Sequence, residues 1–98
     1  MLKHISQSAR RLYPNCEIFI DSGIRRGTDI LKCFAFGANG VFLSRPVMWG
    51  LHYNGKEGCV DLMNMVNEEL KLAMALTHCF KLSEITENQV IYDVKPRL

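Results

Sequence analysis

Residues 18–29 read IFIDSGIRRGTD, and this stretch decides the fold. The apolar run at 18–20 does not alternate with polar residues, which is typical of a strand buried on both faces of a parallel sheet. The polar residues at 21–23 predict a turn after that strand, where Gly23 tolerates positive φ and lets a ligand approach the backbone. The residues at 27–29 predict the start of a helix.

A shorter version of the same pattern follows at residues 40–46, which read GVFLSRP. Between the two stretches, apolar residues recur at helical spacing, so the sequence predicts a helix over about 28–36 that stops at Gly37. Residues 41–43 predict a second buried strand. A strand, a helix and a strand joined by short connections form one right-handed parallel unit, which brings both strand ends to the same edge of the sheet. Proteins of the α/β class bind ligands at that edge.

The two turns together indicate a site for a phosphate group. Arg25 and Arg45 each follow a strand end, and guanidinium groups match phosphate oxygens in a fork. The free N–H groups of the first turn and of the helix that follows it also favour an anion. Arg26 is interpreted as a solvated charge at the helix start. A single turn of this kind also occurs in α/β proteins that bind no ligand, so the prediction depends on there being two.

The composition of the chain argues against several classes of function. The chain has 98 residues and a formal charge of +2, which suits one small domain and is too weak and dispersed to indicate nucleic-acid binding. The apolar runs fall far short of the ~20 residues of a membrane span, and the N-terminus lacks the apolar core of a secretory signal. The four cysteines have no paired spacing. We therefore expect reduced thiols in an intracellular protein, and no zinc site.

Beyond the two turns, the sequence predicts one partial domain over residues 1–98. Its predicted parts, in chain order, are a preceding helix (1–13), a phosphate-binding βαβ unit (14–45), closing helices (46–87) and a tail (88–98). Within the closing helices, Pro46 suits a helix start. Asn54-Gly55 and Gly58 predict a loop, and Trp49 is interpreted as a packing or subunit-contact residue.

These residues resemble the FMN-dependent 2-hydroxy acid oxidase family, which includes glycolate oxidase, lactate oxidase and flavocytochrome b2. The family pattern is Asp-Gly-Gly-hydrophobic-Arg-x-Gly-x-Asp, then a helix rich in alanine and leucine, then a hydrophobic strand ending in Gly-Arg-Pro. The corresponding stretches here are DSGIRRGTD (21–29), KCFAFGA (32–38) and LSRP (43–46). Further similarity lies in the closing segment, at WGL (49–51), GKEG (55–58), ELKLAMAL (69–76) and LSEI (82–85).

The resemblance implies an α/β fold, namely a partial TIM (β/α)8 barrel comprising the last two strand–helix units with parallel strands. It also implies FMN as the cofactor. The residues that would line the phosphate and ribityl end of FMN are Asp21, Ser22, Gly23, Ile24, Arg25, Ser44 and Arg45, with the two arginines as phosphate partners. Ser22 and Ser44 stand where the family usually has glycine. Each adds a hydroxyl that can donate to phosphate and a Cβ that can crowd it or oppose positive φ.

The family reaction is oxidation of an (S)-2-hydroxy acid to a 2-oxo acid with oxygen as acceptor. Its proton-abstracting histidine and substrate-binding arginine lie in a His-Gly-x-Arg motif, which this sequence does not contain. His4, His52 and His78 have unrelated neighbours, so we assign no catalytic residue. A complete barrel of this type needs ~250 residues. We expect the chain to be the C-terminal quarter of an oxidase, inactive alone. We expect the complete enzyme to take a small 2-hydroxy acid and to be a homo-oligomer.

Two other functions remain open from the sequence. A two-stranded parallel sheet leaves both edges unpaired, so the chain is alternatively a non-catalytic module that assembles with itself or with a full-length subunit. The glycine turns are also similar to those of IMP dehydrogenase-like and isopentenyl-diphosphate isomerase-like barrels. Finally, the terminal Pro96-Arg97-Leu98 resembles a Ser-Lys-Leu peroxisomal address, which predicts a peroxisomal location, with a cytoplasmic location as the alternative.

Overall fold

The computed structural model describes residues 2–90. Its elements, in chain order, are α1 (Leu2–Leu12), β1 (Phe19–Ile20), α2 (Gly27–Ala35), β2 (Gly40–Val41), α3 (Arg45–Leu76) and two 3₁₀ turns (Leu82–Glu84 and Glu87–Gln89). The predicted preceding helix, crossover helix and closing helices are all present. Most of the predicted tail, including the terminal Pro-Arg-Leu, lies outside the described residues. No helix within residues 2–90 is long and apolar enough to cross a bilayer.

The centre of the fold is a strand–helix–strand unit with parallel strands. Phe19 pairs with Gly40 and Ile20 with Val41, and α2 connects the two strands. The ladder continues at both ends, because Asn39 N–H donates to the Ile18 carbonyl at 2.6 Å and Phe42 N–H donates to the Ile20 carbonyl at 2.8 Å. Both strand ends therefore lie at one edge of the sheet, as the sequence predicts.

The two faces of this sheet differ. Ile20, Val41 and Leu43 face the helices and pack against a core that includes Ile30 and Val66. The core residues Ile24, Cys33 and Ala38 complete this cluster. Phe19 and Phe42 lie on the opposite face and are 53% and 57% exposed. The prediction of strands buried on both faces is therefore wrong for residues 2–90, since no described element covers the second face.

Helix α1 is fixed to the C-terminal end of α2. The Ser6 hydroxyl donates to the Phe36 carbonyl at 2.6 Å. The Arg10 guanidinium donates to the Gly37 carbonyl at 3.0 Å and to Asn39 Oδ1 at 2.7 Å. A cation at a helix C-terminus satisfies carbonyls that have no partner in the helix and interacts favourably with its dipole. These contacts fix α1 relative to α2 and the loop leading into β2.

Helix α3 has two arms. Asn54 (φ −149°, ψ 30°) and Gly55 (φ 61°, ψ −142°) are not helical and separate a short arm, residues 45–53, from a long arm, residues 56–76. Gly50 and Gly58 bring the arms close together, since a Cβ on Gly50 would lie 2.7 Å from the Gly58 carbonyl oxygen. The prediction of a loop at Gly58 is wrong. This glycine lies in the long arm, and it lacks a side chain because the arms meet there.

Candidate anion-binding site

A cavity of about 310 Å³ lies at the carboxyl ends of the two strands. The residues that line it are Asp21, Ser22, Gly23, Ile24, Arg25, Phe42, Ser44, Arg45, Pro46 and Trp49. All seven residues that the sequence analysis assigned to a phosphate site are among them. The structure therefore brings both turns to one cavity, as a parallel unit requires. Their role as cofactor ligands stays a prediction.

The first wall of the cavity is a turn with two consecutive residues at positive φ. Ser22 and Gly23 both have φ of 78°. This conformation is easy for glycine but strained for serine. The Ser22 N–H donates to Asp21 Oδ1 at 2.8 Å. The N–H groups of Gly23 and Ile24 have no acceptor within the described residues. The turn therefore has two backbone donors that no described residue uses.

Three N–H groups at the N-terminus of α2 are bonded to carboxylates of the chain itself. The Asp29 carboxylate accepts from the N–H groups of Arg25 at 3.1 Å and Arg26 at 3.2 Å. Glu69 Oε2, on the long arm of α3, accepts from the Gly27 N–H at 2.9 Å. The prediction that the N–H groups of this helix start are free for an anion is therefore wrong for Arg25, Arg26 and Gly27. These bonds instead fix the backbone from which the Arg25 side chain extends.

The second wall is the N-terminus of α3, and it is open. Ser44, the N-cap residue, makes no side-chain capping bond, and the first turn contains no acidic residue. Ser44, Arg45 and Pro46 all line the cavity. The first N–H groups of a helix have no partner within it and carry the positive end of its dipole. An anion in the cavity is therefore stabilised by the positive end of the α3 dipole, although Pro46, at the second position of this helix, has no N–H to donate.

Positively charged side chains outnumber negatively charged ones in the cavity lining. Arg25 and Arg45 contribute two positive charges and Asp21 one negative charge. Within residues 2–90, neither arginine forms a salt bridge. Arg26 does not line the cavity, in agreement with its interpretation as a solvated charge. The arrangement favours an anion that accepts hydrogen bonds from two guanidinium groups.

Three cavity residues were missed in the sequence analysis, namely Phe42, Pro46 and Trp49. Trp49 is 56% exposed in the described part of the chain, and its interpretation as a packing or subunit-contact residue stays a prediction. Spacing could have located two of them. Trp49 lies four residues after Arg45 on one helix, and Phe42 lies two residues before Ser44 along the strand direction. Both spacings place side chains on the same side as a predicted site residue.

Within residues 2–90, no histidine or cysteine lines the cavity, whose polar side chains are those of Asp21, Ser22, Arg25, Ser44 and Arg45. Cys33 lies in the core beneath the sheet, where burial, and secondarily the Asp29 carboxylate, raises the pKa of its thiol. The described lining therefore suits an anion.

The sequence is similar to a family of flavoproteins over almost its whole length. The model of the FMN-dependent dehydrogenase family matches residues 1–92. A 2-hydroxyacid oxidase of Dictyostelium discoideum is 47% identical over 93 residues, which is 95% of this chain and 23% of the relative. Glycolate oxidase 3 of Oryza sativa subsp. indica is 44% identical over 92 residues, or 94% of this chain and 24% of the relative.

The fold is also similar to solved structures. The flavin-binding domain of baker's yeast flavocytochrome b2 superposes with a TM-score of 0.83 at 30% identity, over 90% of this chain and 23% of that chain. The predicted fold class, a partial TIM barrel with parallel strands, is thereby confirmed. The chain spans about a quarter of the length of the relatives it matches. Among the families weighed from the sequence, the match selects the hydroxy acid oxidases over IMP dehydrogenase-like and isopentenyl-diphosphate isomerase-like barrels.

Proposed function

The chain belongs to the FMN-dependent dehydrogenase family, whose cofactor is FMN, and on that premise we propose that it supplies the phosphate end of the FMN site in a 2-hydroxy acid oxidase. In the complete enzyme, an (S)-2-hydroxy acid is oxidised to a 2-oxo acid and oxygen is the electron acceptor. The observation that carries the proposal is the single cavity lined by Arg25 and Arg45. A homo-oligomeric complete enzyme remains part of the proposal.

The size of the cavity fits one end of the cofactor. Its volume of about 310 Å³ is near the lower limit of ~300 Å³ for small-molecule pockets. That volume suits a phosphate and the adjoining ribityl chain, whereas the flavin ring system needs further space. The ring would therefore contact other parts of the barrel, and this chain would hold the charged end.

The donors of the cavity fit a phosphate monoester. Two unpaired guanidinium groups and the open N-terminus of α3 offset the charge of a dianion. The N–H groups of Gly23 and Ile24 add two neutral donors. These five contacts, which are of three kinds, suit a group with several acceptor oxygens, whereas a carboxylate with two oxygens would leave some of them unused.

The other polar side chains of the cavity also fit the phosphate and ribityl groups of FMN. Ser22 and Ser44 each offer a hydroxyl donor to phosphate. The Asp21 carboxylate repels phosphate, so it suits the ribityl hydroxyls, from which it can accept hydrogen bonds. FMN, when bound, supplies the group that accepts the hydride equivalent from the hydroxy acid. No residue of this sequence is proposed as the catalytic base.

Trp49 provides the test, because it is the single tryptophan of the chain and lines the cavity. We expect FMN to quench its fluorescence saturably, and riboflavin, which lacks the phosphate but absorbs similarly, to quench only through light absorption. Inorganic phosphate should reverse the FMN effect. Hydrogen bonds to charged groups contribute about 1.5–3 kcal/mol. Arg25→Ala and Arg45→Ala should therefore each weaken FMN binding about tenfold or more.

Arg26→Ala is the matched control, since Arg26 adjoins Arg25 but does not line the cavity. It should bind FMN like the unaltered chain. Equal binding of FMN and riboflavin would refute the phosphate site. A loss in Arg26→Ala as large as in Arg25→Ala would mean that general positive charge, and not this cavity, attracts FMN.

We also propose a peroxisomal location on the basis of the terminal Pro96-Arg97-Leu98. Green fluorescent protein ending in these residues should colocalise with a peroxisomal marker, and a version ending in Pro-Glu-Leu should not. Diffuse fluorescence of both proteins would remove the proposal.

A further inference from the structure

A carboxylate from the long arm of α3 reaches the start of α2, close to the first arginine of the cavity. Glu69 Oε2 accepts from the Gly27 N–H at 2.9 Å, across 42 positions of the chain. Glu69 does not itself line the cavity. Gly27 follows Arg25 by two positions, so this hydrogen bond connects the first wall of the cavity to the long arm of α3.

Gly27 allows the connection because it has no side chain. A Cβ at position 27 would lie against the backbone of Leu70 and 2.6 Å from the Glu69 carbonyl carbon. The start of α2 therefore lies directly on the backbone of α3, within reach of the Glu69 carboxylate. Farther along the same interface, Ile30 of α2 and Val66 of α3 pack in one core cluster. The hydrogen bond is thus the polar end of a packed interface between the two helices.

Helix α3 also carries the second arginine of the cavity. Arg45 is the first residue of its short arm, whereas Glu69 lies on its long arm. The two arms are in close contact where Gly50 meets Gly58. One helix therefore holds the second wall of the cavity directly and the first wall through the Glu69 carboxylate.

We propose that Glu69 is a positioning residue of the anion site, an inference that rests on the proposed function of that site. Its hydrogen bond sets where the Arg25 guanidinium lies relative to that of Arg45. Asp29 also accepts from the N–H groups of Arg25 and Arg26, but it lies on α2 itself. Asp29 therefore shapes the turn without fixing its distance from α3. Glu69 fixes that distance, and two guanidinium groups at a set separation match the oxygens of one phosphate.

The charge of Glu69 and its hydrogen bond have opposite effects on an anion. A negative charge near the cavity repels the anion, so the benefit of Glu69 lies in the oxygen that accepts from the Gly27 N–H. Glutamine keeps an acceptor oxygen without the charge. Methionine has similar length and helix propensity but offers only a weak acceptor. Glu69→Gln and Glu69→Met therefore have the same charge and differ mainly in this hydrogen bond.

Quenching of Trp49 fluorescence by FMN measures the effect on the site. Glu69→Gln should bind FMN at least as tightly as the unaltered chain. Glu69→Met should bind FMN about threefold to tenfold more weakly than Glu69→Gln, which is the range for one hydrogen bond. Glu69→Asp keeps the charge but is one methylene group shorter, so it should bind FMN more weakly than the unaltered chain. This milder variant repeats the test should circular dichroism show that Glu69→Met is unfolded.

Glu68 provides the matched control. It precedes Glu69 on the same arm, is exposed, and pairs with Lys71 at 3.4 Å. Glu68→Gln and Glu68→Met should therefore bind FMN equally. A difference between them as large as that between the two Glu69 variants would show that substitution anywhere on this arm disturbs the cavity, and it would overturn the proposal.

A double-mutant cycle separates positioning from a general loss of structure. Because Glu69 acts through Arg25, Glu69→Met should weaken FMN binding much less in an Arg25→Ala background than in the unaltered chain. In an Arg45→Ala background the loss should stay near its full size. A merely structural role would lower the free energy of unfolding in urea without this dependence on Arg25.

Two results would overturn the proposal while leaving the phosphate site in place. One is equal FMN binding by Glu69→Gln and Glu69→Met, and the other is an equal loss from Glu69→Met with and without Arg25. In both cases the unaltered chain would still prefer FMN to riboflavin. Absence of that preference would instead refute the proposed function, and the role of Glu69 would fall with it.

Discussion

The left-handed conformation of Ser22 gives a prediction with a defined sign. Ser22 has φ of 78°, whereas Ser44, the other serine at a usual glycine position of the family, has φ of −122°. Glycine at position 22 relieves the strain of an L-residue in this region, about 1–2 kcal/mol. Glycine also increases the conformational entropy of the unfolded chain, which lowers the stability of the fold by about 0.4–1 kcal/mol. Ser22→Gly should therefore stabilise the fold by up to about 1.6 kcal/mol, with a central value of about 0.8 kcal/mol.

Ser44→Gly is the matched control. It carries the same entropic cost of about 0.4–1 kcal/mol without any relief of strain, so it should be destabilising. The entropic contributions cancel in the comparison. The free energies of unfolding of the two variants should therefore differ by about 1–2 kcal/mol, which is the strain itself.

Urea unfolding followed by circular dichroism measures the difference, provided that the slope with denaturant is the same for both variants. Equal destabilisation by the two substitutions would refute the reasoning, because Ser22 would then not be strained. The Ser22→Ala variant separates the effect of backbone strain from the effect of the hydroxyl group. It keeps the Cβ and its strain, so its stability should stay near that of the unaltered chain. The lost hydroxyl should weaken FMN binding.

Two other predictions concern the core. Gly27→Ala would place a Cβ against backbone atoms of Leu70 and 2.6 Å from the Glu69 carbonyl carbon; backbone cannot rotate away, so we expect a loss near the upper end of about 1–3 kcal/mol in urea unfolding, and a neutral result would show that α2 and α3 are farther apart. Burial raises the pKa of the Cys33 thiol in the folded chain, so folding favours the neutral thiol. The resulting contribution to stability is fully present below the pKa of ~8.5 of the thiol in the unfolded chain, and it is lost as the pH rises through the higher pKa of the folded chain. The stability difference between the unaltered chain and Cys33→Ala should therefore shrink between pH 7 and 10, and a constant difference would contradict it.

The sequence predicted the fold well where short-range patterns determine structure. The apolar runs, the helical spacing between them and the glycine stop at Gly37 (φ 100°) are local signals. The right-handed crossover rule then brought both strand ends to one edge without further information. This is why all seven predicted site residues line one cavity.

The errors arose where contacts distant in sequence decide the outcome. The N-terminus of α2 looked open because Glu69, which accepts from the Gly27 N–H, lies 42 residues away. Gly58 looked like a loop residue because its close neighbour is Gly50, on the other arm of α3. The apolar pattern predicted that Phe19 and Phe42 are buried strand residues. They are exposed because no described element of this chain covers them.

The ionisation of FMN's phosphate, followed by ³¹P nuclear magnetic resonance as the pH is changed, tests most directly whether Arg25 and Arg45 hold that group. The second pKa of a phosphate monoester is about 6. Two adjacent guanidinium groups favour the dianion and should lower this pKa for FMN bound to the chain, while Arg25→Ala should return it toward the free value. A bound FMN whose phosphate titrates as it does free in solution would contradict the account.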